Sequence, residues 1–157
     1  MRPITTTVIA ALAMMTAQVL LAQTPMKPTV PGTAGDPTWQ GVLRLSDGRT
    51  FVTDGGLALD AALAKPSALP DRQVTAKVLE DYLNAPHKEE YALSDLSSTA
   101  TGKGYTTPSG IELNATYITF LRRRLPSDAS LRMTARNQPI VIVVDGKAVG
   151  VLMPVRQ

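Results

Sequence analysis

The chain has 157 residues, no cysteine, and 16 lysine and arginine residues against 13 aspartate and glutamate residues, for a formal net charge of +3. This small charge excess argues against a nucleic-acid partner. Without cysteine the chain forms no disulfide, and thiol catalysis, cysteine-ligated zinc, iron–sulfur clusters and a cysteine-linked lipoprotein anchor are all excluded.

Residues 1–22 have the order of an export signal. Arg2 precedes an apolar run at residues 8–21, and the small residue Ala22 closes it. The run is shorter than the ~20 residues that a membrane-spanning helix needs. We therefore expect a signal peptide that is cleaved near Gln23, and an exported protein that is periplasmic or extracellular and not a lipoprotein. The alternative is an uncleaved N-terminal anchor helix.

Residues 23–38 contain four prolines and two glycines. Each proline removes a backbone donor and favours extended geometry in the residue before it, so this segment is predicted to be a disordered, semi-extended leader. The folded domain is then expected at residues 39–157, a length typical of one domain with one core.

Two Asp-Gly pairs each separate two segments of strand-like composition. They are Asp47-Gly48, between residues 42–46 and 49–53, and Asp145-Gly146, between residues 140–144 and 147–153. A type I′ turn needs positive φ at both central residues, and Asp-Gly accepts this, so each pair predicts a β-hairpin. The β-branched run that precedes the second pair predicts a strand buried on both faces, whereas arginines give the first hairpin a solvated side.

Helices are predicted between the hairpins. Residues 56–64 are rich in alanine and leucine and end near Pro66, so a short helix is favoured over a strand. Residues 72–83 carry an apolar stripe at helical spacing after Asp71, a good N-cap residue, and predict a second helix.

Residues 111–125 fit two interpretations. Apolar and polar residues alternate as in a strand, but Ser109 and Glu112 also match a capping box, and the arginines at the end of the segment suit a helix C-terminus. We expect the helix, with residues 97–110 as a mobile surface loop. The predicted fold is α+β: a small antiparallel sheet built on two Asp-Gly hairpins, with two or three packed helices.

Catalytic and cofactor motifs are absent from the sequence. His87 is the only histidine, which leaves a metal site or a Ser-His-Asp triad without support beyond this residue. The segment Gly102-Lys103-Gly104 lacks the upstream glycine and the following serine or threonine of a phosphate-binding loop. We expect no catalytic residue, no cofactor and no metal.

Three consecutive arginines, Arg122, Arg123 and Arg124, form the densest charge cluster. Arginine is suited to bidentate contact with phosphate and carboxylate, so the cluster is a candidate contact for anionic lipid or an acidic partner. The alternative is a solvated helix C-terminus, where cations are favoured.

The function expected from these observations is that of an exported, non-enzymatic binding or structural protein whose partner is a protein or an envelope component. The alternatives are a lipid-binding envelope protein, or a small secreted hydrolase or transferase whose acids, such as Glu89 or Asp95, converge in the fold. A pocket lined by two acids, or by His87 and an acid, would favour the enzyme; a flat apolar patch or an exposed strand edge would favour binding.

Overall fold

A computed structural model describes residues 36–155. The predicted signal peptide and most of the predicted leader lie outside the described residues. The described part has mixed α+β structure, with ten strands, three α-helices and one 3₁₀ helix. The strands are β1 (Gly41–Arg44), β2 (Thr50–Thr53), β3 (Leu57–Asp60), β4 (Glu89–Ala92), β5 (Ser97–Ser98), β6 (Gly104–Thr106), β7 (Glu112–Asn114), β8 (Ser130–Met133), β9 (Ile140–Val144) and β10 (Lys147–Leu152); the helices are α1 (Ala61–Ala64), α2 (Lys77–Leu83), α3 (Ala115–Arg124) and the 3₁₀ helix (Leu93–Asp95).

Seven of these strands form one antiparallel sheet in the order β1-β2-β3-β10-β9-β8-β4, and β5-β6-β7 form a second sheet of three strands. The large sheet has more strands than the two hairpins alone supply. Within it, β10 lies between β3 and β9, and Gly150 is opposite Leu59 on one side and Ile142 on the other. A Cβ atom at Gly150 would lie 2.7 Å from the backbone oxygen of Ala58, so the close approach of β3 and β10 requires glycine.

The large sheet is covered on both faces. One hydrophobic cluster packs α3 and the small sheet against it, and the other packs α2 against the opposite face. Successive strand residues point to opposite faces, so Ile142 belongs to the first cluster while Val141 and Val143 belong to the second. This double burial accounts for the continuous apolar sequence of β9.

The turn between β9 and β10 has two residues. Val144 is opposite Lys147, and the intervening Asp145 and Gly146 have φ values of 52° and 75°. Both central residues therefore adopt the left-handed conformation that a type I′ turn requires.

The turn between β1 and β2 is different. Its positive φ falls on Gly48, at 92°, and not on Asp47. The N–H of Gly48 donates to the oxygen of Leu45 at 3.1 Å, and the N–H of Leu45 donates to the oxygen of Arg49 at 2.9 Å. The prediction of a type I′ turn at this position is therefore wrong. The loop has three residues with glycine at the third, which is the usual place for a left-handed residue in such hairpins.

The helix predicted at residues 56–64 is wrong for its first half. Leu57, Ala58 and Leu59 belong to β3 and are fully buried between β2 and β10. Pairing on both sides outweighs the helical preference of alanine and leucine. The helix begins only after Asp60, whose Oδ1 accepts from the N–H of Ala62 at 3.0 Å.

The helix predicted at residues 72–83 forms only as α2, and Asp71 is not its N-cap. The start of the segment is extended along β1. The N–H of Val42 donates to the oxygen of Arg72, and the N–H of Val74 donates to the oxygen of Val42, both at 2.8 Å. These bonds cover the outer edge of β1, which explains why the helix starts later than its sequence pattern indicates.

Residues 97–110 are not simply a surface loop, because they contain β5 and β6 of the small sheet. Residues 111–125 combine both interpretations of their sequence, since β7 leads directly into α3. The side chain of Asn114 accepts from the N–H of Thr116 at 2.8 Å and begins the helix, so the capping box predicted at Ser109 is wrong.

A buried hydrogen bond ties α3 to the turn between β2 and β3. Asp54 is 0% exposed, and its Oδ1 accepts from the N–H groups of Gly56 and Leu57 at 3.0 Å. Its Oδ2 accepts from the hydroxyl of Tyr117 at 2.8 Å. A Cβ atom on Gly56 would lie 2.5 Å from that hydroxyl oxygen, so glycine is needed for the approach. This contact fixes α3, and with it the arginines at its C-terminus.

Candidate functional site at the end of helix α3

The three arginines of the predicted anion contact occupy the last turn of α3. Cations are stabilised there by the partial negative charge of the helix C-terminus. Successive residues of a helix point about 100° apart, so the three side chains leave α3 in different directions. In the structure one arginine lines a groove, and the other two, although they start in different directions, both reach the same aspartate.

Arg122 is held by backbone oxygens and by an aromatic ring. Its Nη2 donates to the oxygen of Leu93 at 2.7 Å and to that of Leu96 at 3.3 Å. Its guanidinium carbon lies 4.6 Å from the centre of the Tyr105 ring, a cation–π geometry. Within residues 36–155, Nε and Nη1 make no hydrogen bond, so this oriented guanidinium keeps donors for another group.

A groove of about 610 Å³ lies between the 3₁₀ helix and the turn that follows α3; we call it the arginine groove. It is lined by Leu93, Ser94, Arg122, Leu125, Pro126 and Ser127. Its volume is in the range of small-ligand sites. The lining combines one cation, two hydroxyl groups and three apolar side chains. In the described part of the chain neither serine hydroxyl has a hydrogen-bond partner, so both can bond to a ligand.

Arg123 and Arg124, which we call the arginine pair, bind Asp36. Nη2 of Arg123 lies 3.1 Å from Oδ1 of Asp36, and Nη2 of Arg124 lies 2.8 Å from Oδ2. Arg124 also lies over the ring of Phe120, 5.6 Å from its centre, and Phe120 meets Trp39 edge-to-face at 5.8 Å. Asp36 could not be found from the sequence, because 87 positions separate it from Arg123 and no local pattern connects them.

A second polar cluster surrounds Glu90 on β4. Its Oε1 accepts from the hydroxyl of Ser130 at 2.6 Å, and its Oε2 lies 3.3 Å from Nε of Arg132 and 3.7 Å from Nε2 of His87. The hydroxyl of Ser130, and then Arg132, hold the pKa of Glu90 below its ordinary value of 4.5. A carboxylate with a lowered pKa is a weak base, and Ser130 donates to it rather than to His87.

The acids considered for catalysis are not brought together. Glu89 begins β4 and lines a cavity of about 270 Å³ together with Lys88, Ser109, Ile111, Met133, Thr134, Ala135 and Arg136. Asp95 follows the other end of β4, where its Oδ2 accepts from the N–H of Ala92 at 3.2 Å. The two carboxyl groups therefore lie at opposite ends of β4, a strand of four residues that each extend it by about 3.3 Å.

The edges of the large sheet offer little to a partner strand. The segment at residues 72–74 covers the β1 edge. The other edge, β4, is short and carries Glu89 and Glu90, and charged residues on a short edge strand oppose further pairing. Among residues 36–155 the exposed large hydrophobic side chains are Leu69 and Val155, too few for a broad apolar patch.

Residues 36–155 contain no group of three or more histidine, cysteine, aspartate or glutamate side chains placed to bind a metal ion. No helix in that range has the length and apolar character needed to span a bilayer. Comparison of the chain with protein-family models, with curated proteins and with solved structures finds no match. The interpretation of the arginine groove as a binding site therefore rests on the geometry of this chain alone.

Proposed function

We propose that this chain is an exported, non-enzymatic binding protein of the cell envelope, and that the arginine groove captures an anionic partner that is a protein or an envelope component. Export is supported by the order of charged, apolar and small residues in 1–22. Binding is supported by one observation above all: the guanidinium of Arg122 is fixed by Leu93, Leu96 and Tyr105, and its Nε and Nη1 bond to no other residue between 36 and 155.

The composition of the groove indicates the class of ligand. One lining cation balances one negative charge, which favours a carboxylate or a phosphodiester over a doubly charged phosphate monoester. The hydroxyl groups of Ser94 and Ser127 can donate to the remaining oxygen lone pairs. Leu93, Leu125 and Pro126 provide apolar contact for the stem that carries the anion.

Residues 36–155 present neither the broad apolar patch nor the open strand edge that would favour binding, so binding is favoured over catalysis only by the chemistry of the polar side chains. A serine nucleophile needs an adjacent base, but the neighbour of Ser130 is Glu90, whose pKa is lowered. His87 lies beside the same carboxylate and adds no base to the serine. The lipid-binding alternative shares the arginine groove, because anionic phospholipids present a phosphodiester on an apolar stem.

The binding test is a titration of the purified protein with sodium octanoate, a monoanionic carboxylate, and with phosphatidylglycerol vesicles, which present a phosphodiester. We expect Arg122→Gln to weaken binding at least about tenfold, because a charge-assisted hydrogen bond contributes about 1.5–3 kcal/mol. The matched control is Lys77→Gln, which removes an exposed cation from α2 on the opposite face of the large sheet. Binding to vesicles alone would favour the lipid-binding alternative.

A second variant separates recognition from folding, because Arg122 also bonds to the backbone of Leu93 and Leu96. Ser94→Ala combined with Ser127→Ala leaves those contacts intact and is expected to weaken binding about fivefold or more. The proposal is wrong if neither probe binds the unmodified protein, or if the serine and arginine variants bind as the Lys77→Gln control does.

Export is tested by mass spectrometry of the envelope fraction, after crosslinking in the native host. We expect a mature N-terminus near Gln23, together with a recurrent crosslinked partner. An intact N-terminus at Met1 would contradict cleavage and support the anchored alternative.

A further inference from the structure

We infer that the arginine pair, Arg123 and Arg124, is a second anion-binding site, specific for carboxylates of an acidic peptide segment, and that Asp36 fills it as an exchangeable internal ligand. The site is separate from the arginine groove and does not depend on the function proposed for it. The inference rests on the geometry, the charge and the exposure of this ion pair.

The geometry is that of a carboxylate receptor. Each oxygen of Asp36 meets a different guanidinium group, at 3.1 Å and 2.8 Å, so both oxygens are bound at once. Both donors stand on successive residues of α3, which is anchored by the buried Ile118 and Leu121 and by the hydrogen bond from Tyr117 to Asp54. The receptor is therefore preformed, and its resident ligand shows which chemistry it accepts.

The charge of the site is not balanced by Asp36. Two guanidinium groups face one carboxylate, which leaves one positive charge, and Arg122 adds another on the same helical turn. A segment with several acidic side chains can neutralise this excess of positive charge, whereas one aspartate cannot. The observed carboxylate favours an acidic peptide over a lipid headgroup as the external ligand.

The contact is also open to exchange. The side chains of Asp36, Arg123 and Arg124 are 44%, 54% and 31% exposed, and ion pairs at such exposure are weak. The neighbouring backbone is held independently of Asp36, because Pro37 is buried and Trp39 packs against Phe120. The carboxylate can therefore leave by side-chain rotation while the segment stays docked.

An internal ligand lowers the apparent affinity for an external one. Its effective concentration is on the order of millimolar for short connections, so single carboxylates compete poorly and acidic clusters compete well. Removing the charge of Asp36 should therefore strengthen binding of an acidic peptide. The weakness of exposed ion pairs limits the gain to about two- to fivefold.

The experiment measures binding of acetylated and amidated hexaglutamate to the purified protein at 150 mM salt, observed through the side-chain N–H resonances of the arginines. We expect Asp36→Asn to tighten binding about two- to fivefold, and Arg123→Gln with Arg124→Gln to abolish it. The matched control, Asp128→Asn, removes an exposed acid just after α3 that is outside the ion pair, and is expected to leave the affinity unchanged.

Three results would overturn the inference. One is that hexaglutamate binds neither the unmodified protein nor Asp36→Asn; another is that Asp36→Asn and Asp128→Asn have equal effects. The third is binding that Arg122→Gln abolishes and the double variant of the arginine pair leaves intact, which would assign the peptide to the arginine groove. If hexaglutamate binds at the arginine pair but neither octanoate nor the vesicles bind the unmodified protein, only the proposed function is contradicted.

Discussion

Replacement of Tyr117 by phenylalanine removes the hydroxyl that donates to Oδ2 of Asp54 at 2.8 Å and keeps the ring that packs in the core. Asp54 is 0% exposed, so water does not replace the lost donor. A buried polar group that loses a partner destabilises a protein by about 1–3 kcal/mol. Because Oδ1 keeps its bonds to Gly56 and Leu57, we expect a loss of about 2 kcal/mol in the free energy of unfolding.

The assay is urea denaturation followed by the fluorescence of Trp39, the single tryptophan. Asp54→Ala is expected to cost more than Tyr117→Phe, since it also removes the acceptor of two backbone N–H groups. In the Asp54→Ala background, Tyr117→Phe should change stability by less than about 0.5 kcal/mol, because the carboxylate that accepts from the Tyr117 hydroxyl is already removed. Tyr91→Phe on β4 is the matched control, with an expected effect within about 0.5 kcal/mol. Equal costs of Tyr117→Phe in both backgrounds would refute the argument that this hydroxyl anchors α3.

Three further predictions concern single sites. Gly150→Ala should destabilise the protein by about 1–3 kcal/mol in the same assay, because the new Cβ would press against Ala58 in the neighbouring strand. Asn114→Ala should cost about 1 kcal/mol through loss of the α3 N-cap, and an unchanged melting temperature would contradict that role. The pKa of Glu90 is lowered in the folded protein, first by Ser130, so its ionised form stabilises the fold above its ordinary pKa of 4.5 and this contribution is lost as pH falls through the folded-state pKa. Ser130→Ala should therefore reduce stability above pH 5 or so, with a difference that shrinks in more acidic solution; a difference independent of pH would count against it.

Local patterns in the sequence were sufficient for some elements. The continuous apolar run at Ile142 and its neighbours indicated a strand buried on both faces, and the structure covers both faces of β9. The strand β3 was missed because Ala58 and Leu59 favour a helix in isolation, whereas pairing with β2 and β10 decides their conformation. Strand pairing between distant segments is invisible to composition and periodicity.

The candidate site shows the same division. The position of the arginines at a helix C-terminus followed from the sequence, and α3 ends at Arg124. The contacts of each arginine did not follow from the sequence, because the oxygen of Leu93 and the carboxylate of Asp36 are far from the arginines along the chain. Two serines of the arginine groove, Ser94 and Ser127, carried no motif, and only the fold places them beside Arg122.

The central position of β10 determines when the molecule can fold. Leu59 of β3 pairs with Gly150, so the first three strands join the rest of the large sheet only through the last strand. Both hydrophobic clusters also contain β10 side chains: Val149 and Leu152 in one, Val151 in the other. A chain that emerges N-terminus first, from a ribosome or from an export channel, therefore keeps both cores incomplete until β10 has been released.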